Sequence, residues 1–217
     1  MRPVVLGITG SVAAIRSFEL AQALESAGCE LRIVATTPAL YFLDPAAVAA
    51  FRARGPGMLN IDADEWPGAG YTRGDPVGHI ELRRWAQVLV VAPLDANTLA
   101  KFALGLADNY LTCLFRAWDF TKPVVLAPAM NTLMWESPAT LRHLRILLED
   151  HASSPPPAGW SLDDAPLVFA RHAPQIVLVP PQSKQLACGD IGQGAMAQVE
   201  AIAATVAAWA DHAPSDG

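Results

Sequence analysis

The chain is poor in charge, cysteine and long apolar runs, and each shortage removes a class of function. Only 17% of its 217 residues are charged, and the balance is acidic at −6. A nucleic-acid partner needs a basic field to replace counterions on phosphates, so that class is excluded as the main one. No apolar stretch reaches the roughly 18 residues that a membrane-spanning helix requires. The start is already strand-like at Pro3–Ile8, and Arg2 alone does not make a signal peptide. Three widely spaced cysteines suit a reducing compartment rather than a disulfide framework, so the expected location is cytoplasmic. Also missing are G-x-S-x-G, H-E-x-x-H and C-x-x-C, which leaves serine hydrolase, zincin and structural zinc readings without support. A P-loop lysine and the G-x-G-x-x-G spacing are absent as well, which counts against ATP and ordinary dinucleotide sites.

What is present is 52% hydrophobic sequence, enough for a large core. Val4–Thr9 is a β-branched apolar run followed by Gly10-Ser11 and by helical periodicity over Val12–Ala27, which makes strand, glycine turn and helix. Gly7 and Gly10 are expected to let the backbone approach a ligand, with Ser11 as cap or anion contact. Leu31–Ala35 forms a second strand before a helix over Ala39–Arg54, and Leu59–Ala63 a third. Residues 66–78, rich in Gly, Pro, Asp and Thr, form a long loop that delivers His79. Val88–Ala92 and Val124–Ala127 are continuous apolar strands of the kind that a parallel sheet buries on both faces. Between them lie helices Thr98–Leu106 and Asn109–Trp118, and Pro138–Asp150 is a further helix. About 151–174 reads as an exposed Pro-rich insertion. Ile176–Val179 is a last strand, 183–197 a glycine-rich flap, Val199–Ala210 a closing helix, and the tail from His212 frays. Alternating strands and helices make one α/β domain over 1–211, a Rossmann-like (flavodoxin-like) doubly wound parallel sheet.

In such a sheet, ligands bind beyond the carboxyl ends of the strands. Asp95–Thr98 stands there, with two open readings: a ligand-facing turn, or a plain helix start with Asp95 as N-cap. His79 is either structural or an acid–base group brought by its loop; the other four histidines fall where surface positions are expected. Cys29 and Cys113 follow apolar patterns and are expected in the core. Cys188, in Leu186-Ala187-Cys188-Gly189-Asp190, is either a buried small residue or a proton donor on a flap. The Asn131 amide could hold a carboxylate, Met134 and Trp135 suit packing, and Arg83 and Arg84 are candidates for anion contacts, although adjacent helix positions cannot both face one site.

Taken jointly, Gly10-Ser11-Val12-Ala13, HIELRRWA, APLDANTLAK, DNYLTC, PAMNTLMW and LACGDIGQGAMA resemble the eukaryotic phosphopantothenoylcysteine decarboxylases, which belong to the homo-oligomeric flavin-containing cysteine decarboxylases. The likeness runs from Val5 to about Ala210 and is weakest over 44–57 and 149–175. It implies a trimer with FMN near a subunit interface, and decarboxylation of 4′-phospho-N-pantothenoylcysteine to 4′-phosphopantetheine in coenzyme A synthesis. FMN would supply an electron sink at the cysteinyl carbon without net redox change. Carried over by motif, His79 would be the base, Asn131 would bind the substrate carboxylate and Cys188 would protonate the intermediate. Gly10, Ser11, Val12, Thr36, Phe42, Asp95, Ala96, Asn97, Thr98 and Met130 would line the flavin site; Arg84, Met134 and Lys184 would meet substrate. Pro38 and Gln198 depart from the family pattern. A peptide-cysteine decarboxylase, a flavin prenyltransferase and a phosphatase-inhibiting subunit are the competing readings. The Asn131 and Cys188 motifs argue against the prenyltransferase, and the missing acidic extension against the inhibitor.

Overall fold

The computed structural model describes residues 1–185 and 191–209, with side chains described outside 184–193. In chain order the elements are β1 (Arg2–Ile8), a 3-10 turn (Val12–Arg16), α1 (Ser17–Ser26), β2 (Cys29–Ala35), α2 (Thr37–Leu40), α3 (Pro45–Ala53), β3 (Leu59–Ile61), α4 (Asp62–Glu65) and α5 (Gly78–Trp85). There follow β4 (Val88–Leu94), α6 (Ala96–Leu104), α7 (Tyr110–Arg116), β5 (Val124–Pro128), α8 (Thr132–Trp135), α9 (Pro138–His151), α10 (Ala165–His172), β6 (Ile176–Leu178), β7 (Gln182–Gln185), β8 (Ile191–Ala195) and α11 (Val199–Ala208).

The first six strands pair in the order β3-β2-β1-β4-β5-β6, all parallel, which is the doubly wound Rossmann order. Side chains alternate across each strand, so one apolar run feeds two cores. On β1, Val4, Leu6 and Ile8 enter the core that contains Leu20, Leu24 and Ile202, whereas Val5 enters the one with Leu111, Phe115 and Leu144. On β4, Val88, Val90 and Ala92 take the first side, and Leu89 and Val91 the second. Every residue of β4 and β5 is buried.

Four local expectations change. The helix expected over 39–54 is two: Asp44 accepts from the Ala46 N–H at 3.0 Å and Pro45 occupies the first turn of α3, a start signal that also stops whatever precedes it. The third strand ends at Ile61 because Asp64 folds back to accept the Ile61 N–H at 2.8 Å and opens α4. Residues 151–174 are an exposed insertion only in part: 153–159 are mostly exposed, but Trp160, Ala165, Phe169 and Ala173 are buried in the main core, toward which α10 turns an apolar stripe. Gly7 serves packing rather than ligand approach, since a Cβ there would lie 2.7 Å from Leu111 Cδ1.

Candidate functional site

The strand order reverses between β1 and β4, one helix leaving to each side, and this opens a crevice beyond their carboxyl ends. Thr9 locks the two strand ends together: its hydroxyl donates to Pro93 O at 2.8 Å and accepts from the Asp95 N–H at 2.7 Å, and Thr9 is fully buried. Next to it, Gly10 has no room for a side chain, because a Cβ would meet Pro38 Cβ at 2.6 Å and Asp95 Oδ2 at 3.3 Å. The departure at Pro38 is therefore a packing contact with Gly10. Ser11 caps the 3-10 turn by accepting from Ala13 N at 3.3 Å, and Asp95 caps α6 by accepting from Thr98 N at 2.6 Å.

From the other side comes the end of β5. Ala129 N donates to Leu94 O at 2.9 Å, and the Asn131 Oδ1 accepts from Leu133 N at 2.9 Å to start α8. The antiparallel hairpin β7–β8 closes over this turn, with Met130 N donating to Gly194 O at 2.9 Å. Gln182 donates to Met196 O at 2.7 Å and accepts from Gln198 Nε2 at 2.9 Å, while Gln198 Oε1 accepts from Arg16 Nη1 at 3.2 Å. The departure at Gln198 thus ties the 3-10 turn to the hairpin.

Together these segments wall an open cavity of about 400 Å³ with a mostly apolar lining. Gly10, Ser11, Val12, Phe42, Asp95, Ala96, Met130, Asn131 and Met134 of the expected set line it. Thr36 and Thr98 are buried, Asn97 is exposed, and Arg84 is exposed on α5; these four are not among the lining residues. Cys188 lies outside the described residues, as does the side chain of Lys184. Arg16 was not singled out from the sequence, yet it lines the cavity, held by Glu19 through bonds of 2.9 and 2.8 Å. That pairing holds the guanidinium charged and the Glu19 carboxyl below its ordinary range. The spacing of Arg16, one turn after the glycine corner, was the available signal.

His79 is not among the lining residues either. It sits in the first turn of α5, where Glu65 accepts the His79 backbone N–H at 3.1 Å and also pairs with ring Nδ1. Glu65 is 6% exposed, a buried carboxylate that no motif flagged. Cys113 belongs to this group rather than to the core: one ligand atom each from Glu65, His79 and Cys113 lies within 4.8 Å of the others, a spacing a metal ion could bridge. Burial and the Glu65 charge push the Cys113 thiol up, which keeps it protonated in this metal-free group. Tyr110, buried against Gly78, is pushed far up by burial first and by Glu65 second.

Known proteins resemble this chain over almost its whole length. The Flavoprotein family matches residues 1–211. A phosphopantothenoylcysteine decarboxylase of Arabidopsis thaliana is 47% identical over 203 residues, covering 94% of this chain and 82% of the relative; one of Mus musculus is 43% identical over 206 residues, covering 94% and 85%. Among solved structures, a mutant PPC decarboxylase complexed with pantothenoylaminoethenethiol superposes with a TM-score of 0.74 at 44% identity, covering 97% of this chain and 98% of that one. The FMN binding protein AtHal3 gives 0.72 at 44% identity, covering 99% of each. With both the fold and the sequence shared end to end, the chain belongs to the Flavoprotein family and, within it, to the phosphopantothenoylcysteine decarboxylases.

Proposed function

We propose that this chain decarboxylates 4′-phospho-N-pantothenoylcysteine to 4′-phosphopantetheine with FMN as its cofactor, a carbon–carbon lyase of coenzyme A synthesis. The observation that carries the reading is the cavity at the sheet's switch point, where the Gly10–Val12 corner, the start of α6 and the Met130–Asn131 turn converge.

The residues present fit a flavin mononucleotide. Gly10 lines the cavity, and its missing side chain makes room for Pro38 and Asp95 at that corner. The apolar side chains of Val12, Phe42 and Met130 offer surface for a flat ring, and Arg16 is a cation at the same wall. When bound, FMN supplies an electron sink next to the cysteinyl carbon. Gly10, Ser11, Val12, Asp95, Ala96 and Met130 hold it, with Phe42 at the rim; Thr36, Asn97 and Thr98 support that wall from behind or beside it. Asn131, which accepts from Leu133 N through Oδ1 at the start of α8, binds the substrate carboxylate. Met134 covers the substrate from α8, Arg84 and Lys184 meet its acidic ends, and Cys188 on the 183–197 flap returns the proton. His79 takes the proton that leaves at the start.

In this reading the working protein is a homotrimer in the cytoplasm. His79 stands outside the lining of its own chain's cavity, and the loop that carries it exposes Trp66, Tyr71 and Val77, apolar side chains suited to a subunit contact. Cys29 and Cys113 are free thiols, as a reducing compartment requires. The test is CO2 release from the phosphorylated substrate by purified protein, read beside its flavin absorbance. The expected result is yellow protein whose activity falls at least about 10²-fold in His79→Asn and Cys188→Ser. A colourless protein that refuses added FMN would overturn the reading.

A further inference from the structure

We propose that Glu65 is the positioning residue of His79: its carboxylate receives both the backbone N–H and the ring Nδ1–H of that histidine and so fixes which ring nitrogen carries the lone pair. The inference deepens the assignment of His79 as the base and rests on it.

A carboxylate that is 6% exposed must be met by donors, since burying an unpaired charge is costly. Glu65 finds two, and both belong to His79. They lie fourteen residues apart, one ending α4 and the other opening α5, so the clasp also closes the loop 66–77 at its base. A loop without helix or strand can therefore present an imidazole in one pose. The neighbours leave the clasp undisturbed: Cys113 and Tyr110, both on α7, are held in their neutral protonated forms by burial. Cys113 directs its own thiol to Ala107 O at 3.5 Å.

The chemistry follows from what an ionised carboxylate can do. It only accepts hydrogen bonds. The neutral imidazole facing it must therefore hold its proton on Nδ1, which puts the basic lone pair on Nε2. Free imidazole does not make that choice by itself. Glu65→Gln is the informative change, because glutamine keeps the shape but has only one accepting end. If the amide oxygen stays with the His79 backbone N–H, the amide NH2 faces Nδ1. The ring then accepts there and places its proton on Nε2, where a base needs its lone pair. The charge is lost, the fold is kept, and the base is left in the wrong tautomer.

The experiment uses the FMN-loaded protein labelled with 15N-histidine, the His79 signals being identified by their loss in His79→Asn. At a pH where the ring is neutral, the expected wild-type pattern is protonated Nδ1 and unprotonated Nε2, with the two exchanged in Glu65→Gln. The same variant should lose about 10²-fold in kcat with KM within about threefold, and the double variant should be no slower than His79→Asn alone. A wild-type ring protonated on Nε2 overturns the proposal, whether or not any variant folds. So does a Glu65→Gln protein that keeps kcat within about twofold while His79→Asn is inactive. If His79→Asn itself turns over normally, it is the assignment of the base that falls, and the nitrogen spectra still report whether Glu65 sets the tautomer.

Discussion

Gly194 lies so near the Met130 carbonyl that a Cβ would sit 2.3 Å from its oxygen, and its φ of +146° lies where side chains are strained. Gly194→Ala must therefore push the hairpin off the Met130–Asn131 turn. A loss of about 1–3 kcal/mol and weaker flavin retention are expected, read by thermal melts of the holoprotein and by free flavin after gel filtration. The other residue-scale surprise is His151. It was expected at the surface, yet its ring stacks on Phe120 at 3.8 Å between centroids, and burial lowers its pKa, with Asp150 opposing. A histidine held below its ordinary value binds fewer protons folded than unfolded. Its contribution is therefore intact above about pH 6.5 and is lost progressively as the pH falls below that. Melting temperatures of His151→Phe should vary less with pH between 7 and 5 than those of the parent; equal slopes would clear His151 of the effect. Residues of this kind were not legible in the sequence, because a helical period says which face a side chain takes but not what packs over it.

At the scale of elements, α6 tests how much a single cap contributes. Asp95→Ala removes the 2.6 Å acceptor for Thr98 N while leaving the Asp95 backbone bond to Thr9. It should cost about 1 kcal/mol of stability and weaken FMN binding together, because the same corner lines the cavity. Denaturant unfolding with and without FMN separates the two: a stability loss with unchanged flavin affinity would leave Asp95 only its capping role. The strands were the most legible elements. Val88–Ala92 and Val124–Ala127 are continuous apolar runs, and both are strands buried on two faces. The boundaries near Asp44-Pro45 and Asp62–Asp64 escape the apolar period because an acceptor side chain starts a helix wherever it can reach a nearby N–H, Asp44 two residues on and Asp64 three residues back. The stretch 151–174 divides for a related reason: its prolines mark exposed chain over 153–159, but α10 carries Phe169 and Val168 into the core.

For the whole molecule the question is where the base and the pocket meet. The cavity takes its lining from the glycine corner, α6, the Asn131 turn and the hairpin, and His79 is not among the lining residues. If neighbouring chains complete one another's sites, mixing inactive His79→Asn with inactive Asn131→Ala and allowing subunits to exchange should restore a substantial fraction of activity, since some mixed sites hold both intact residues. Mixtures that stay as slow as the separate variants would mean that each chain supplies its own base. Sedimentation of the parent protein should give three times the mass of the chain; a monomeric mass with full activity would rule out the shared site.

By itself the sequence determined the alternation of strand and helix, the doubly wound sheet and the corners where chemistry could sit, because apolar period, glycine and capping residues act over a few neighbours and leave their mark locally. The pairing of Glu65 with His79, the place of Arg16 in the cavity wall, the Thr9 clip and the burial of Trp160 were decided by the tertiary structure alone. Each joins residues that the chain separates by loops or whole elements. Nothing in the local pattern marks which buried carboxylate will face which ring; only closure of the sheet and the packing of α4 against α5 and α7 bring them together.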